Sequence, residues 1–183
     1  MEFNFNLSIG LWNAWLPFLF YMVFTMVSAF LLSKEGFKRG GDRSWLTKKE
    51  TFITTITTLS FYGTLILGIW IPLLIGTNLF YIGLGMYVIG IILSVWVGIS
   101  FLTAPMGRLI TKGAYKFSRN PIYMVNILIA FSIVLMSASW ILVLMLVIYL
   151  VFNHLAILAE ERFCLETYGE DFELYKKKVR RYL

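Results

Sequence analysis

Five long stretches of apolar residues alternate with polar segments along the chain, and they set the predicted architecture. The runs cover residues 9–32, 51–75, 79–102, 121–136 and 140–159. Most exceed the ~18 apolar residues that indicate a membrane-spanning helix, whereas the fourth has only about sixteen, or ~24 Å of helix. Because backbone polar groups in lipid must be satisfied internally, each run is predicted to be helical. The expected fold is an all-α integral membrane protein with about five transmembrane helices.

The charged residues mark the polar segments and orient the predicted helices. The stretch 51–107 contains no charged residue. The sixteen lysines and arginines fall into three clusters, with six in residues 34–49, four in 108–119 and six in 162–181. With five spans all three clusters lie on one side of the membrane, which the positive-inside rule makes cytoplasmic. The N-terminus is therefore expected outside and the C-terminus in the cytoplasm.

The last two runs are predicted to form a helical hairpin. Residues 137–139 interrupt the apolar pattern, and the second arm then continues into Glu160 and Glu161 without a helix breaker. Helix continuity matters here, because it carries these acids to the end of the hairpin. We expect a single membrane domain over 1–183, with three transmembrane helices in 1–102 and the connector, the hairpin and a cytoplasmic C-terminal helix in 103–183.

Composition supports a membrane location and excludes several other classes of protein. Of the 183 residues, 59% are hydrophobic and only 14% are charged, well below the share in a soluble protein. The net charge of +6 comes from the three basic clusters, which can meet anionic lipid headgroups, so nucleic-acid binding is not expected. One histidine and one cysteine, Cys164, form no metal-binding constellation, and no glycine-rich dinucleotide motif or P-loop occurs.

The polar connector between the third and fourth runs is the first candidate site. Pro121 suits the first position of a helix, because its fixed φ fits there and its missing N–H would have had no partner. Asn120 is then the expected N-cap, and Arg119 precedes it. Free backbone N–H groups, the helix dipole and Arg119 together would attract a carboxylate or a phosphate. A capped membrane helix whose arginine faces lipid phosphates fits the same residues.

Ionisable residues near the end of the last run form the second candidate site. Residues seven positions apart share one face of a helix, and a neighbouring stripe runs beside them. The first set is His154, Glu161 and Tyr168, and the neighbouring stripe is Asn153 and Glu160. Such groups at the inner end of a membrane helix need partners or water, and Arg119 is the obvious partner for one acid. An ion pair between Arg119 and one of these acids would either belong to a ligand site or only hold the hairpin to the connector.

Two motifs in this half of the chain resemble a known family. The motifs are Gly113-x-Tyr115-x-x-x-Arg119-x-Pro121-x-Tyr123 and, later, Glu160-Glu161 followed by Tyr168-Gly169-x-x-Phe172-x-x-Tyr175. In this order and spacing they resemble the isoprenylcysteine carboxyl methyltransferase and phospholipid methyltransferase family, over roughly residues 105–182. Members usually carry histidine where this chain has Asn120, and an amide does not take part in proton transfer near neutral pH.

The resemblance implies an S-adenosylmethionine-dependent methyltransferase. Its acceptor would be lipophilic, an isoprenylcysteine carboxylate or another lipid-like molecule that enters from the bilayer. Catalytic roles are implied for Arg119 and Glu161. The residues implied for cofactor binding are Tyr115, Arg119, Asn120, Pro121, Tyr123, His154, Glu160, Glu161 and Tyr168. Arginine suits the cofactor's carboxylate, a glutamate suits its ammonium group, and an aromatic face suits its sulfonium.

Two other functions fit the same sequence. Membrane reductases of the sterol type are similar in outline in the C-terminal segment and use NADPH, whose 2′-phosphate would need contacts such as Arg108, Lys112 and Lys116. A non-catalytic membrane scaffold, in which the pocket is only architecture, is the other alternative. Cofactor binding distinguishes the three functions, because only the methyltransferase needs S-adenosylmethionine and only the reductase needs NADPH.

Overall fold

The computed structural model describes residues 5–182, and these residues are predominantly helical. Its six α-helices are α1 (Trp15–Leu32), α2 (Lys34–Gly41), α3 (Lys48–Leu67), α4 (Asn78–Leu102), α5 (Pro121–Ser137) and α6 (Trp140–Lys178). A 3-10 helix over Gly113–Lys116 lies in the connector between α4 and α5. The described residues form no β-strand, which confirms the all-α prediction.

Three of the described helices, α1, α4 and α6, are long and apolar enough to cross a membrane. Helix α5 is apolar but has only 17 residues. Helix α3 has 20 residues, but threonines occupy much of its first half. Their hydroxyls donate to carbonyls one turn earlier, as from Thr55 to Thr51 at 2.7 Å. The three long apolar helices make the chain an integral membrane protein. The count of five spans stays a prediction.

The first apolar run becomes helical later than predicted. Residues 8–14 are not helical and lie beside the turn that follows α3. Asn13 is buried, and its amide donates to the carbonyls of Ser8 (2.6 Å) and Ile69 (2.7 Å). A buried amide must be hydrogen-bonded, and a helix through this segment would not offer these acceptors. The helix consequently begins only at Trp15.

The helices pack in pairs, α4 mainly on α5 and α3 mainly on α6. Helices α4 and α5 are in close contact, because a Cβ at Gly83 would come within 2.7 Å of the Ser132 carbonyl oxygen. The predicted hairpin has its tight turn at Ala138, with φ 44°. Its two arms pack on different neighbours and make few contacts with each other. Fully buried apolar side chains of the core include Phe18, Ile71, Ile129, Ile133, Met136 and Leu142.

Helix α6 continues through Glu160 and Glu161, as predicted. Gly169, with φ 49°, interrupts it, and the segment beyond turns towards the connector. There the Tyr175 hydroxyl donates to the carbonyl oxygen of Tyr115 at 2.6 Å. The predicted C-terminal helix therefore packs against the connector, and its cytoplasmic location stays a prediction.

Candidate active site

The connector is fixed by a close contact with α4. Its 3-10 helix begins at Gly113, where φ is 62° and an added Cβ would come within 2.2 Å of the Ser100 hydroxyl. The same hydroxyl accepts a hydrogen bond from the backbone N–H of Ala114 at 3.1 Å. Only glycine combines this backbone conformation with this contact. The contact orients Tyr115, whose side chain is buried.

Tyr115 is a hydrogen-bond donor rather than a base. Burial raises the pKa of its hydroxyl well above the usual range, and the nearby Glu160 carboxylate raises it further. The phenol is therefore protonated at neutral pH.

Helix α5 begins at Pro121, as predicted, but Asn120 does not cap it through its side chain. The Asn120 amide instead donates to Glu161 Oε1 and to the carbonyl oxygen of Arg181, each at 3.3 Å. A carboxylate is a stronger acceptor than a neutral group, and it draws the amide away from the helix end. The residue expected to cap α5 thus joins the connector to α6.

Glu161 is the centre of an ion-pair network. Nε and Nη2 of Arg119 lie 3.0 and 2.9 Å from its Oε1. Nε and Nη2 of Arg181 lie 3.1 and 2.8 Å from its Oε2. The side chains of Arg119 and Glu161 are each only 10% exposed. Both oxygens of this buried carboxylate are therefore neutralised by arginine.

The remaining donors of Arg119 hold the C-terminal segment. Nη1 donates to the carbonyl oxygens of Val179 at 2.8 Å and Lys176 at 3.3 Å. Its backbone N–H donates to the carbonyl oxygen of Arg180 at 2.9 Å. Every guanidinium nitrogen of Arg119 thus has an acceptor within the protein. In this structure the Arg119–Glu161 pair ties the connector, α6 and the C-terminal segment together.

A cavity of about 540 Å³ lies beside this network. Its wall combines the connector, α3, α5, α6, the ends of α2 and α4, and the loop after α2. Sites for drug-sized ligands have volumes of about 300–1,000 Å³, so the cavity is large enough for a cofactor. Seven of the predicted site residues line it: Tyr115, Arg119, Asn120, Tyr123, Glu160, Glu161 and Tyr168. The fold thus brings together the two motifs that the sequence separates.

Glu160, unlike its neighbour Glu161, is in no ion pair. Its carboxylate is hydrogen-bonded to the Tyr123 side chain. Across residues 5–182, no lysine or arginine forms a salt bridge with it. A carboxylate carries about four lone-pair sites, so acceptor capacity is left for a ligand in the cavity.

Two predicted site residues lie elsewhere. His154 is exposed and its Nδ1 is hydrogen-bonded to the hydroxyl of Tyr182. Pro121 faces an apolar groove between α4 and α5. The stripe of α6 that lines the cavity includes Asn153 and Glu160, which are seven positions apart. His154 shares its stripe with Glu161 and Tyr168, which do line the cavity, but its own side chain is exposed and pairs with Tyr182 of the C-terminal segment instead.

Two amides of the site had no role assigned from the sequence: Asn153 was placed only on the stripe beside the candidate acids, and Asn126 was not predicted at all. Asn153 is 1% exposed and lines the cavity, and its Oδ1 has no hydrogen-bond partner among the described residues. Asn126 also lines the cavity, and its Oδ1 accepts from the Tyr21 hydroxyl at 2.6 Å. The sequence did indicate such residues, because an amide within an apolar helix is costly in a membrane and usually has a function.

A second ion pair lies beside Trp45 and Phe163, two residues of the cavity wall. Arg162 Nε lies 2.7 Å from Glu50 Oε1, and its Nη2 lies 2.8 Å from Oε2. The rings of Trp45 and Phe163 stack beside this pair, with centroids 4.8 Å apart. The hydrogen bonds from Arg162 lower the pKa of Glu50 to about 2. These contacts join the loop before α3 to α6, and sequence analysis predicted neither of them.

An apolar helical bundle with a cavity lined by acids, tyrosines and amides defines an integral membrane protein with a ligand-binding site between its helices. The chain belongs to the phospholipid methyltransferase family, whose family model matches residues 64–171, and this is a family of integral membrane methyltransferases. The match covers more than half of the chain and confirms the resemblance that the motifs indicated. No curated protein and no solved structure gave a significant match.

Proposed function

We propose that this protein transfers a methyl group from S-adenosylmethionine to a lipophilic acceptor at the cytoplasmic face of a membrane. Membership in a family of membrane methyltransferases supports the reaction type. The observation that carries the finer proposal is Glu160, a carboxylate in the wall of a ligand-sized cavity that pairs with Tyr123 and with no cation of the described chain. Such an acid suits the ammonium group of the cofactor.

The residues of the cavity fit S-adenosylmethionine in size and in chemistry. Tyr123 and Tyr168 supply aromatic rings, which attract a sulfonium. The Oδ1 atom of Asn153 has no partner and would accept from an amine or hydroxyl of the nucleoside. When bound, the cofactor supplies an electrophilic methyl group. The protein's contribution is alignment, since an in-line displacement needs reacting atoms ~3–3.5 Å apart.

We assign Arg119 and Glu161 a positioning role in this reaction. Their donors and acceptors are used by each other, by Arg181 and by the C-terminal segment. The network joins the beginning of α5 to α6, the two helices that carry Tyr123 and Glu160. Its integrity therefore sets the distance between the two residues that face the ligand, without a direct contact to the reacting atoms.

The acceptor we propose is lipid-like, with a carboxylate such as that of isoprenylcysteine and a lipid amine as the chemical candidates. A carboxylate oxygen needs no general base, so Glu160 could serve the cofactor alone. An amine must lose a proton, and Glu160 would then accept it or pass it to water.

We also propose that the N-terminus lies outside and the C-terminus in the cytoplasm. All three basic clusters then lie on the cytoplasmic side, together with the cavity. A reporter enzyme fused to the C-terminus is expected to be active only in the cytoplasm. Activity confined to the external compartment would overturn this topology.

Calorimetric titration of the purified protein in detergent tests the proposed function. We expect saturable binding of S-adenosylhomocysteine and no binding of NADPH. Binding of NADPH alone would replace the proposal with a reductase. Binding of neither ligand, by protein shown to be folded, would favour the non-catalytic scaffold.

A further inference from the structure

Arg39 reaches the cavity from α2, outside the part of the chain that the family model matches. Helix α2 packs closely on the end of α4, because a Cβ at Gly36 would come within 2.7 Å of the Leu102 carbonyl oxygen. The Arg39 guanidinium lies over the ring of Phe101, 4.3 Å from its centroid. Its Nη1 donates to the carbonyl oxygen of Ala104 at 3.2 Å. These contacts fix the side chain in the cavity wall.

The other two guanidinium nitrogens of Arg39 are unsatisfied. Nε and Nη2 are buried and have no hydrogen-bond partner within residues 5–182. Arg119, Arg162 and Arg181 each pair with a glutamate, whereas no described acid forms a salt bridge with Arg39. Unsatisfied donors of a charged group are costly, so each needs an acceptor. Their position in a cavity wall indicates that the ligand supplies it.

The charges near Arg39 favour an anion. Arg43 and Arg108 line the same cavity. Asp42, an acid in the same wall, is exposed and uses its carboxylate to accept a hydrogen bond from the backbone of its own loop at 2.9 Å. A cluster of arginines in a partly enclosed site attracts oxyanions, and a guanidinium edge binds them through two parallel N–H groups.

The position of Arg39 also complements that of Glu160. The Tyr115 side chain interacts electrostatically with both groups. The cavity wall around this buried phenol therefore contains a cation without an acid partner and an acid without a cation partner. A ligand with an ammonium group and an oxyanion would satisfy both.

We propose that Arg39 binds an oxyanion of the ligand in this cavity, either the carboxylate of the cofactor or the phosphate of a phospholipid acceptor. The inference rests on the proposed function, because it concerns the same cavity. Phe101 is the platform that orients the guanidinium, and the Nε–Nη2 edge is the part that contacts the oxyanion.

The test compares the ligand affinities of Arg39→Gln with those of wild type, by calorimetry on full-length protein in detergent. Lys38→Gln is the matched control, because it removes the same charge from an exposed neighbour that does not line the cavity. The first pair of probes is S-adenosylhomocysteine and 5′-methylthioadenosine, which lacks the amino-acid carboxylate. The second pair is dihexanoyl phosphatidic acid and dihexanoylglycerol, which lacks the phosphate.

We expect Arg39→Gln to lose at least about tenfold in affinity for one oxyanion probe, as when a charge-assisted hydrogen bond is lost. A loss for S-adenosylhomocysteine but not for 5′-methylthioadenosine identifies the carboxylate. A loss for phosphatidic acid but not for dihexanoylglycerol identifies the phosphate. Lys38→Gln is expected to match wild type with every probe. Wild-type affinities in Arg39→Gln for both oxyanion probes would overturn the inference.

Failure of the proposed function is distinguishable from failure of this inference. Wild-type protein that does not bind S-adenosylhomocysteine would contradict the proposed function, and the phosphatidic acid titration would still test Arg39. If Arg39→Gln does not fold, Arg39→Lys keeps the charge but lacks the Nε–Nη2 edge. Wild-type affinity of that variant for both oxyanion probes would overturn the role of the edge.

Discussion

Glu160 and Glu161 are adjacent on α6 but have different surroundings. Both oxygens of Glu161 are held by arginines, and its side chain is 10% exposed. Glu160 faces the cavity, with Tyr123 as its hydrogen-bond partner. Consecutive residues of an α-helix are rotated by about 100° about its axis. Glu161 therefore contacts the arginines, whereas Glu160 contacts Tyr123.

Charge compensation therefore distinguishes two residues of the same type. A buried carboxylate that is fully paired has no oxygen left for a ligand, and breaking its pair is costly. A carboxylate with a single phenolic partner keeps acceptor capacity. The comparison predicts that changes around Glu161 affect stability, whereas changes at Glu160 affect ligand binding.

Glu161→Ala is expected to have the largest effect. The substitution leaves the buried Arg119 without its counter-charge, which we expect to cost about 3 kcal/mol of the free energy of unfolding. Thermal unfolding in detergent measures the loss. Glu166→Ala is the control, because Glu166 lies on the same helix and its side chain is 60% exposed. If both variants unfold at the wild-type temperature, the stabilising role given to Glu161 is contradicted.

Asn120→Asp is expected to have the next largest effect. It replaces a donor to Glu161 Oε1 with a second carboxylate beside the first, at a position that is 5% exposed. We expect a loss of about 2 kcal/mol in stability, measured by the same unfolding assay. Asn120→His keeps an N–H donor and should be less destabilised. Equal stability of the aspartate and histidine variants would contradict the role given to the donated hydrogen bond.

Glu160→Gln tests the prediction that Glu160 contributes to ligand binding and not to stability. The change keeps the shape of the side chain and removes the charge that would pair with the cofactor's ammonium group. We expect about tenfold weaker binding of S-adenosylhomocysteine, because a charge-assisted hydrogen bond becomes a neutral one. Thermal unfolding should stay close to that of wild type. A variant that is strongly destabilised but binds normally would assign Glu160 to the structure instead.

Glu50→Gln is expected to have the smallest effect and a pH signature. The folded-state pKa of Glu50 is about 2, below its ordinary value of 4.5, because Arg162 donates hydrogen bonds to it. The pair therefore stabilises the protein above pH 4.5, and this contribution is lost as the pH falls through about 2. We expect Glu50→Gln to lower the unfolding temperature at pH 7 by at most about 3 °C. At pH 2 the difference should vanish, and a difference that persists there would contradict the ion pair as its source.

Local patterns were enough to predict much of this fold. The apolar runs located the long helices, because in lipid a stretch of such residues can satisfy its backbone only as a helix. Pro121 marked the beginning of α5, since its ring fits only the first turn. Because no helix breaker follows the last apolar run, α6 was correctly predicted to continue through Glu160 and Glu161. The two motifs also identified the family, which the match to residues 64–171 confirmed.

Predictions were less successful where a side chain had several competing partners. Asn120 was expected to cap α5, but a charged acceptor 41 positions away holds its amide. Asn13 was expected inside a helix, but two carbonyls outside the helix hold it. In both cases a long-range hydrogen bond prevailed over a local preference, and no pattern in the neighbouring residues encodes it.

The sequence by itself determined that this chain is a helical membrane protein, where its main helices run and to which family it belongs. These properties follow from apolar length, charge clusters and short motifs, all of which are local. Only the tertiary structure decided that arginines pair with Glu161 and not with Glu160, although both acids line the cavity, that His154 lies away from the cavity and that Arg39 lies in its wall. Those outcomes depend on helix rotation and on contacts between segments far apart in the chain, which a single sequence does not specify.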